Sequence, residues 1–205
     1  MIVTGIEAIS KTRSKVYLDG TFAFVLYKGE LRKYQIAEGE ELQEDILEEL
    51  QSKVLPKRAR LRAMNLLKSR QYTEKQLTDK LLAGGCSREL AEDALAYVKS
   101  YHYVDDTRYA YEYISCHMGH HSMKEIEQKL LQKGISREVT RSAAQELAEN
   151  GMLTEEETII RRLLEKKDYS GKETDEKEKQ RIYGYFYRKG FSLEVVRRVM
   201  EESFT

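Results

Sequence analysis

The chain has 205 residues, of which 34% are charged and 40% hydrophobic, and its 35 basic and 35 acidic residues give no net charge. This composition, with one proline and no tryptophan, is typical of a strongly helical folded protein and excludes intrinsic disorder. No segment approaches the roughly 20 consecutive apolar residues of a membrane span, and the first residues lack the basic start and apolar core of a signal peptide, so we expect a cytoplasmic protein without membrane contact.

The first part of the chain predicts a small β-containing module. Asp19 and Gly20 separate two β-prone runs, residues 16–18 and 22–26. An Asp-Gly pair suits a tight hairpin because both turn positions need a positive φ. Residues 2–9 are expected to add a third strand.

A short acidic helix is predicted to follow at residues 40–55, because its aliphatic residues fall on one helical face. Pro56 should end this helix, since proline lacks the backbone N–H that continues a helical hydrogen-bond ladder. We therefore place the N-terminal module at residues 1–56.

A repeated corner organises the rest of the chain. Three times a helix-like run ends in glycine, skips one residue and restarts at serine, at residues 85–87, 134–136 and 190–192. The first two glycines are 49 residues apart and the last two 56, a spacing typical of stacked structural repeats. Glycine suits the left-handed position after a helix, and serine caps the helix that follows.

Each repeat is predicted to contain three helices, so the chain is mainly α. We expect three tandem three-helix repeats in an elongated, curved array, at residues 57–105, 106–150 and 151–205. The predicted helices span residues 57–70, 74–84 and 88–101, then 106–117, 123–133 and 137–149, then 155–167, 176–189 and 193–203. A polar insertion at residues 169–179 distinguishes the third repeat and predicts a solvated loop or a helix extension.

Local patterns predict the helix starts and the buried faces. Thr73 with Gln76, and Ser122 with Glu125, form capping-box patterns that open the middle helices of the first two repeats. The middle helices carry matching apolar stripes, expected to be buried: Leu77, Leu81, Leu82, Ile126, Leu130, Leu131, Ile182 and Phe186. The residue inside each corner is also expected to pack inward: Cys86, Ile135 and Phe191.

The motifs do not favour catalysis or a resident cofactor. There is no glycine-rich phosphate loop, and capping explains the repeated serines. Cys116, His117, His120 and His121 could be a metal site or simply a polar linker. Four ligands packed this closely rarely close a tetrahedral site, which normally draws pairs from separated segments. We therefore expect a protein that is not an enzyme and holds no metal.

Basic residues concentrate in the first repeat. Residues 57–105 contain ten basic and six acidic residues, a net charge of +4. The first helix of this repeat is the most basic: Lys57, Arg58, Arg60, Arg62, Lys68 and Arg70. These side chains form either an ordinary solvated face or a surface that contacts phosphates or an acidic protein. From them we take Arg58 and Arg62 as candidate partner-binding residues.

The second repeat carries a more specific pattern. It reads Tyr103-Val104-Asp105-Asp106, then Arg108-Tyr109-Ala110, followed by Ile126, Leu130, Lys133, Gly134 and Ile135. This pattern resembles the RecX family, whose members are regulatory proteins that bind and restrain the RecA recombinase. The likeness covers the three helical repeats, and the Asp-Gly hairpin extension is similar to that of longer family members.

The resemblance implies a function in recombination and DNA repair. Proteins of this family lie along the groove of the RecA–DNA filament, touch successive protomers, and slow ATP hydrolysis, strand exchange and co-protease activity. A monomeric repeat array suits this task, because it spreads many weak contacts over several subunits. By position, the resemblance adds six candidate partner-binding residues: Asp105, Asp106, Arg108, Tyr109, Lys129 and Lys133. Asp105 or Asp106 could instead cap the helix that contains Arg108.

A direct DNA-binding protein is the alternative hypothesis. The glycine-serine corners resemble helix-turn-helix turns, and the first repeat is basic. The helix that begins at Arg88 opposes this interpretation, because it also carries Glu89, Glu92 and Asp93. A recognition helix does not normally present three acids to a DNA groove. Weak contact with single- or double-stranded DNA remains compatible with filament binding.

Overall fold

The computed structural model describes residues 1–167 and 176–203, which form two compact units, Met1–Val104 and Asp105–Thr205. Of the predicted polar insertion, residues 169–175 lie outside the described residues. Residues 176–179 form the first turn of a helix, which agrees with the predicted helix extension for this part of the segment. Among the described residues, no helix is long and apolar enough to cross a membrane.

The first unit begins with the predicted three-stranded sheet. Strands β1 (Val3–Ala8), β2 (Arg13–Leu18) and β3 (Thr21–Tyr27) pair antiparallel in sequence order. Asp19 and Gly20 form the hairpin turn with φ of 47° and 82°, as the Asp-Gly pair predicted. One face of the sheet is buried in an aliphatic and aromatic core that includes Val3, Val16 and Leu26.

The helix that leads into the first repeat is continuous from Glu44 to Leu67. Helix α1 (Lys28–Lys33) follows β3 directly; α2 (Glu44–Glu49) then runs through a π-helical turn (Leu50–Val54) into α3 (Leu55–Leu67). The prediction that Pro56 ends the helix is therefore wrong. The N–H of Leu55 donates to the carbonyl of Leu50, five residues back. This change of hydrogen-bond register immediately precedes Pro56, which has no N–H to contribute.

The nine predicted repeat helices are present with bounds close to the expected ones. The first three-helix domain contains α3, α4 (Glu74–Leu82) and α5 (Arg88–Ser100). The second contains α6 (Asp106–His117), α7 (Met123–Gln132) and α8 (Arg137–Glu149), and the third α9 (Glu156–Lys166), α10 (Glu176–Arg188) and α11 (Leu193–Ser203). The mainly α fold of three tandem three-helix repeats is thus confirmed.

Each three-helix domain has its own buried core. In the first, alanines at positions 59, 63, 91 and 94 are fully buried, and their small side chains let α3 and α5 approach closely. In the second, Ala110 and Ala143 do the same for α6 and α8, beside Ile126 and Leu130. In the third, Phe186 stacks edge-on against Phe191 at a centroid distance of 5.4 Å.

The corners have the predicted backbone geometry. Gly85, Gly134 and Gly190 adopt φ of 91°, 95° and 82°, the left-handed region that an L side chain rarely enters. Ser87 and Ser136 cap the helices that follow, because their hydroxyls accept from the N–H groups of Leu90 and Val139. The corner is therefore a structural device that turns one helix into the next.

Three local predictions need correction. Leu131 is 48% exposed, because the stripe of α7 is narrower than the sequence suggested. Ser122 caps α7 as predicted, but Glu125 does not close a capping box; its carboxylate pairs with side chains instead. Ile135 and Phe191 are buried as expected, whereas Cys86 is only half-buried.

Candidate partner-binding surface

The start of α6 is fixed by Asp105. Its carboxylate accepts from the backbone N–H groups of Thr107 at 2.9 Å and Arg108 at 3.0 Å, so Asp105 caps the helix. Arg108 is 74% exposed in its side chain and pairs with Glu112 one turn later, at 2.9 Å. Asp105 therefore has a structural role, whereas Arg108 projects from the surface.

One face of α6 and the turn that follows it carry a row of rings that we call the aromatic ladder: Tyr109, Tyr113, His117 and His121. The i, i+4, i+8 spacing of the first three places them one above another along the helix. The Tyr113 and His117 rings stack at 4.0 Å, and Nδ1 of His117 lies 2.8 Å from the carbonyl oxygen of Tyr113. This bond fixes the ring orientation of His117.

Lys133 brings a positive charge onto the ladder. It lies at the end of α7, and its ammonium is 5.8 Å from the ring centre of Tyr109 and 5.5 Å from that of Tyr113. Ammonium groups over phenol rings gain about 0.5–1 kcal/mol at exposed sites. The sequence prediction named Tyr109 and Lys133 separately, and the fold places them side by side.

Glu125 closes the far end of the ladder. Its Oε1 lies 2.9 Å from His121 Nδ1 and 2.9 Å from Lys129 Nζ, and its Oε2 lies 3.6 Å from Lys189 Nζ. Partial burial alone would raise the pKa of Glu125, but these three neighbours outweigh burial and lower the pKa to about 2. Lys129 is thus held in an ion-pair cluster.

The same region joins the second and third three-helix domains. Ser122 is buried; its hydroxyl accepts from the N–H of Glu125 and donates to the carbonyl of Lys189. A Cβ built on Gly190 would lie 3.1 Å from Ser122 Oγ and 3.1 Å from Cβ of Lys124. The third corner therefore packs closely against the start of α7.

Arg58 and Arg62 lie in the other unit and differ from each other. Arg58 donates to the carbonyl oxygen of Val25 at 2.7 Å, pairs with Glu30 and lies 5.0 Å from the Tyr27 ring centre. These contacts tie α3 to the sheet. Nε of Arg62 is buried without a hydrogen-bond partner.

The cysteine and histidine cluster does not assemble into a metal site in the described part of the chain. No three His, Cys, Asp or Glu side chains among the described residues converge as metal ligands. Cys116 is exposed, and His117 and His121 belong to the aromatic ladder.

Two family models match the chain inside its helical repeats. A model described as the first three-helix domain of RecX matches residues 59–97, and one described as the third three-helix domain of RecX matches residues 155–200. The regulatory protein RecX of Caldanaerobacter subterraneus subsp. tengcongensis is 29% identical over 98% of both chains. That of Clostridioides difficile is 27% identical over 98% of this chain and 95% of its own.

The chain is therefore similar to regulatory RecX proteins over nearly its whole length. Its fold also resembles two crystal structures. A regulatory protein RecX matches with a TM-score of 0.60 at 22% identity over 98% of both chains. RecX from Lactobacillus salivarius matches with a TM-score of 0.57 at 18% identity, over 72% of this chain and 96% of its own.

Within this RecX fold, four of the sequence candidates fall on one part of the second unit. Arg108, Tyr109, Lys129 and Lys133 lie on α6 and at the end of α7, and Asp106 is the first residue of α6. The candidate residues taken from the sequence did not include Tyr113 and His117, which the fold places in the ladder with Tyr109. The i+4 spacing from Tyr109 was a usable signal, but only the fold brings Lys133 to the same rings.

Proposed function

We propose that this protein is a non-enzymatic, cytoplasmic regulator that binds the groove of the RecA–DNA filament. It inhibits RecA ATP hydrolysis, strand exchange and co-protease activity in recombination and DNA repair. The supporting observation is the likeness to regulatory RecX proteins over nearly the whole chain. A series of three-helix domains suits a filament, because several weak contacts on one chain add up through their high effective concentration.

We propose the ladder face as a contact with RecA. Tyrosine and arginine are enriched among interface residues that dominate binding energy, and rigid aromatic rings lose little conformational entropy on binding. Tyr109 and Tyr113 offer such rings in a fixed stack, with Lys133 over them and Arg108 beside them. A partner that places carboxylates near Lys133 and Arg108 would be favoured electrostatically.

The RecA DNA-dependent ATPase tests this function. Substoichiometric protein should lower the hydrolysis rate, and Tyr109→Ala should shift the concentration for half-inhibition upward by about tenfold, as expected for a hot-spot ring. Tyr187→Ala is the matched control, since Tyr187 is a 67% exposed tyrosine on α10 and is not one of the stacked rings of the ladder. Unchanged hydrolysis and filament length in the presence of the unaltered protein would refute the proposal.

Binding to DNA without RecA separates this function from the DNA-binding alternative. On α5, Asp93 accepts from Arg60 at 2.9 and 2.8 Å, so one of the three acids there is neutralised. If DNA binding were the main activity, the affinity would fall steeply with salt, because phosphate contacts release counterions. We expect only weak binding to single- or double-stranded DNA. We also expect full inhibition of RecA at salt concentrations that abolish this DNA binding.

A further inference from the structure

The first unit contains a groove that the proposed function does not use. It has a volume of about 640 Å³ and lies between β3, α3 and the corner that joins α4 to α5. Its walls are largely aliphatic and aromatic, and include Phe24, Leu55, Leu61, Leu66 and Leu90. Leu61 is 55% exposed, so part of the apolar lining is open to solvent.

Two adjacent glycines shape one side of this groove. A Cβ on Gly85 would lie 2.4 Å from Cγ2 of Val25, so the sheet packs directly against the corner backbone. A Cβ on Gly84 would lie 2.4 Å from Cζ of Arg62. The missing side chain of Gly84 therefore makes room for the guanidinium of Arg62 against the backbone.

The charges lining the groove are all of one sign. Arg13, Arg58 and Arg62 line it, and no aspartate or glutamate does so among the described residues. Arg58 is satisfied by Val25 and Glu30, but the buried Nε of Arg62 has no acceptor. Arg62 lines the groove without an acid partner among the described residues, so a ligand that supplies a carboxylate oxygen to its guanidinium gains a charge-assisted hydrogen bond.

We propose that this groove binds a short acidic peptide segment of a partner protein, with an apolar side chain against the leucine walls and a carboxylate on Arg62. The combination of an apolar cleft and one unsatisfied guanidinium fits a peptide better than a nucleic acid. A nucleic-acid strand needs a row of cations along its phosphates and offers no aliphatic side chain to the walls. The peptide site is independent of the ladder face.

Fluorescence anisotropy with two defined peptides tests the specificity of the site. The probe is a fluorophore-labelled acetyl-Leu-Glu-Leu-Glu-Leu-amide, and its twin has glutamine in place of both glutamates. The acidic peptide should bind about tenfold more tightly than the neutral one, the size expected for one charge-assisted hydrogen bond. Arg62→Gln should remove this difference.

Two further variants keep the interpretation clear. Lys57→Gln removes an equal charge from an exposed position of the same helix outside the groove and should leave both affinities unchanged. Gly84→Ala keeps the charge of Arg62 but displaces its guanidinium, so it should weaken binding of the acidic peptide as Arg62→Gln does. Circular dichroism melting of each variant establishes that it is folded.

Cys86 provides a second readout at the site itself. It lines the groove, and in a Cys116→Ser background it is the only cysteine of the chain. Burial raises the pKa of the Cys86 thiol, so alkylation with iodoacetamide is followed at alkaline pH. Saturating acidic peptide should slow the alkylation at least about tenfold, because no more than about a tenth of the protein remains without peptide near saturation.

Several results would overturn the proposal. These are equal affinity for the two peptides, no saturable binding at about millimolar concentrations, or alkylation of Cys86 that the peptide does not slow. Protection of Cys86 by a thymidine oligonucleotide but not by the peptide would instead assign the groove to nucleic acid. Protection that rises with protein concentration alone would assign it to a second copy of this chain.

Discussion

Glu125 is a single carboxylate that holds together parts of two domains. It faces His121, Lys129 and Lys189, and Lys189 comes from the third three-helix domain. Such a partly buried carboxylate is stabilising only while it is ionised, because protonation removes its attraction to the two ammonium groups. Its effect on stability must therefore depend on pH.

We expect Glu125→Gln to reduce the change in unfolding free energy between neutral and acidic pH. The pKa of Glu125 is about 2 in the folded protein and ordinarily 4.5, so the ionised form favours folding by about 2–3 kcal/mol above pH 5. This contribution is lost as the pH falls from about 4.5 towards 2. Urea denaturation at pH 6 and pH 3 measures it.

Glu127→Gln is the control on the same helix. Glu127 forms an exposed pair with Arg137 at 3.4 Å, which should contribute less than about 1 kcal/mol at either pH. If Glu125→Gln and Glu127→Gln destabilised the protein equally at both pH values, the ionic role of Glu125 would be wrong.

Arg58 is expected to stabilise the first unit rather than to bind a partner. Arg58→Ala removes the hydrogen bond to Val25 and leaves Glu30 without its cation, so it should cost about 2 kcal/mol of unfolding free energy. A double-mutant cycle with Glu30→Gln should give a coupling of about 1 kcal/mol. Lys57→Ala, one residue away and exposed, should change stability by less than about 0.5 kcal/mol. A coupling near zero would mean that the pair with Glu30 does not stabilise the first unit.

At the scale of elements, the corner does more than turn the chain. Gly85 packs on Val25 of the sheet, and Gly190 packs on Ser122 and Lys124 of the preceding domain. In both cases the left-handed glycine lets the backbone approach the neighbouring module. The corner therefore connects helices within a domain and also allows close packing between modules of the same unit.

Comparison of Gly190→Ala with Gly151→Ala should separate the cost of the left-handed backbone from the cost of contact with the neighbouring module. The left-handed backbone at φ of 82° costs an alanine about 1–2 kcal/mol, and contact with Ser122 and Lys124 adds to this cost. Gly151→Ala is the matched control, because its φ is 65° and a Cβ there would meet nothing within 4 Å. Thermal denaturation should show the larger loss for Gly190→Ala. Equal losses would mean that the packing at the corner is not tight.

The elements that sequence predicted well are those determined by local signals. The bounds of α6 and α8 match the prediction because local residues determine where these helices begin and end. Asp105 and Ser136 cap the two helices through hydrogen bonds to backbone N–H groups two or three residues away. The helix through Pro56 could not be predicted this way, since its π-helical turn depends on packing of Leu50 and Leu55 in the core of the sheet. The pairing of Lys133 with Tyr109 likewise depends on how α7 returns to α6.

At the scale of the whole molecule, the two units have separate cores. The clusters around the sheet and the first three-helix domain share Leu90, whereas the second and third domains are joined through Ser122, Glu125 and Lys189. The ion pair of Arg58 with Glu30 lies within the first unit, and that of Glu125 with Lys129 lies within the second. Destabilisation of one unit should therefore leave the other unit's own contacts intact.

We expect the effects of Arg58→Ala and Glu125→Gln to be independent in the full chain. Calorimetry should show Arg58→Ala lowering the melting temperature of one unfolding transition and Glu125→Gln that of the other, because each change acts on a different core. The doubly substituted chain should show both shifts, additive within about 0.5 kcal/mol. Gly151→Ala should move only the transition that Glu125→Gln moves, since both residues lie in the second unit. A single transition shifted by all three substitutions would mean that the two units unfold as one, and contacts with a filament would then act on the stability of both.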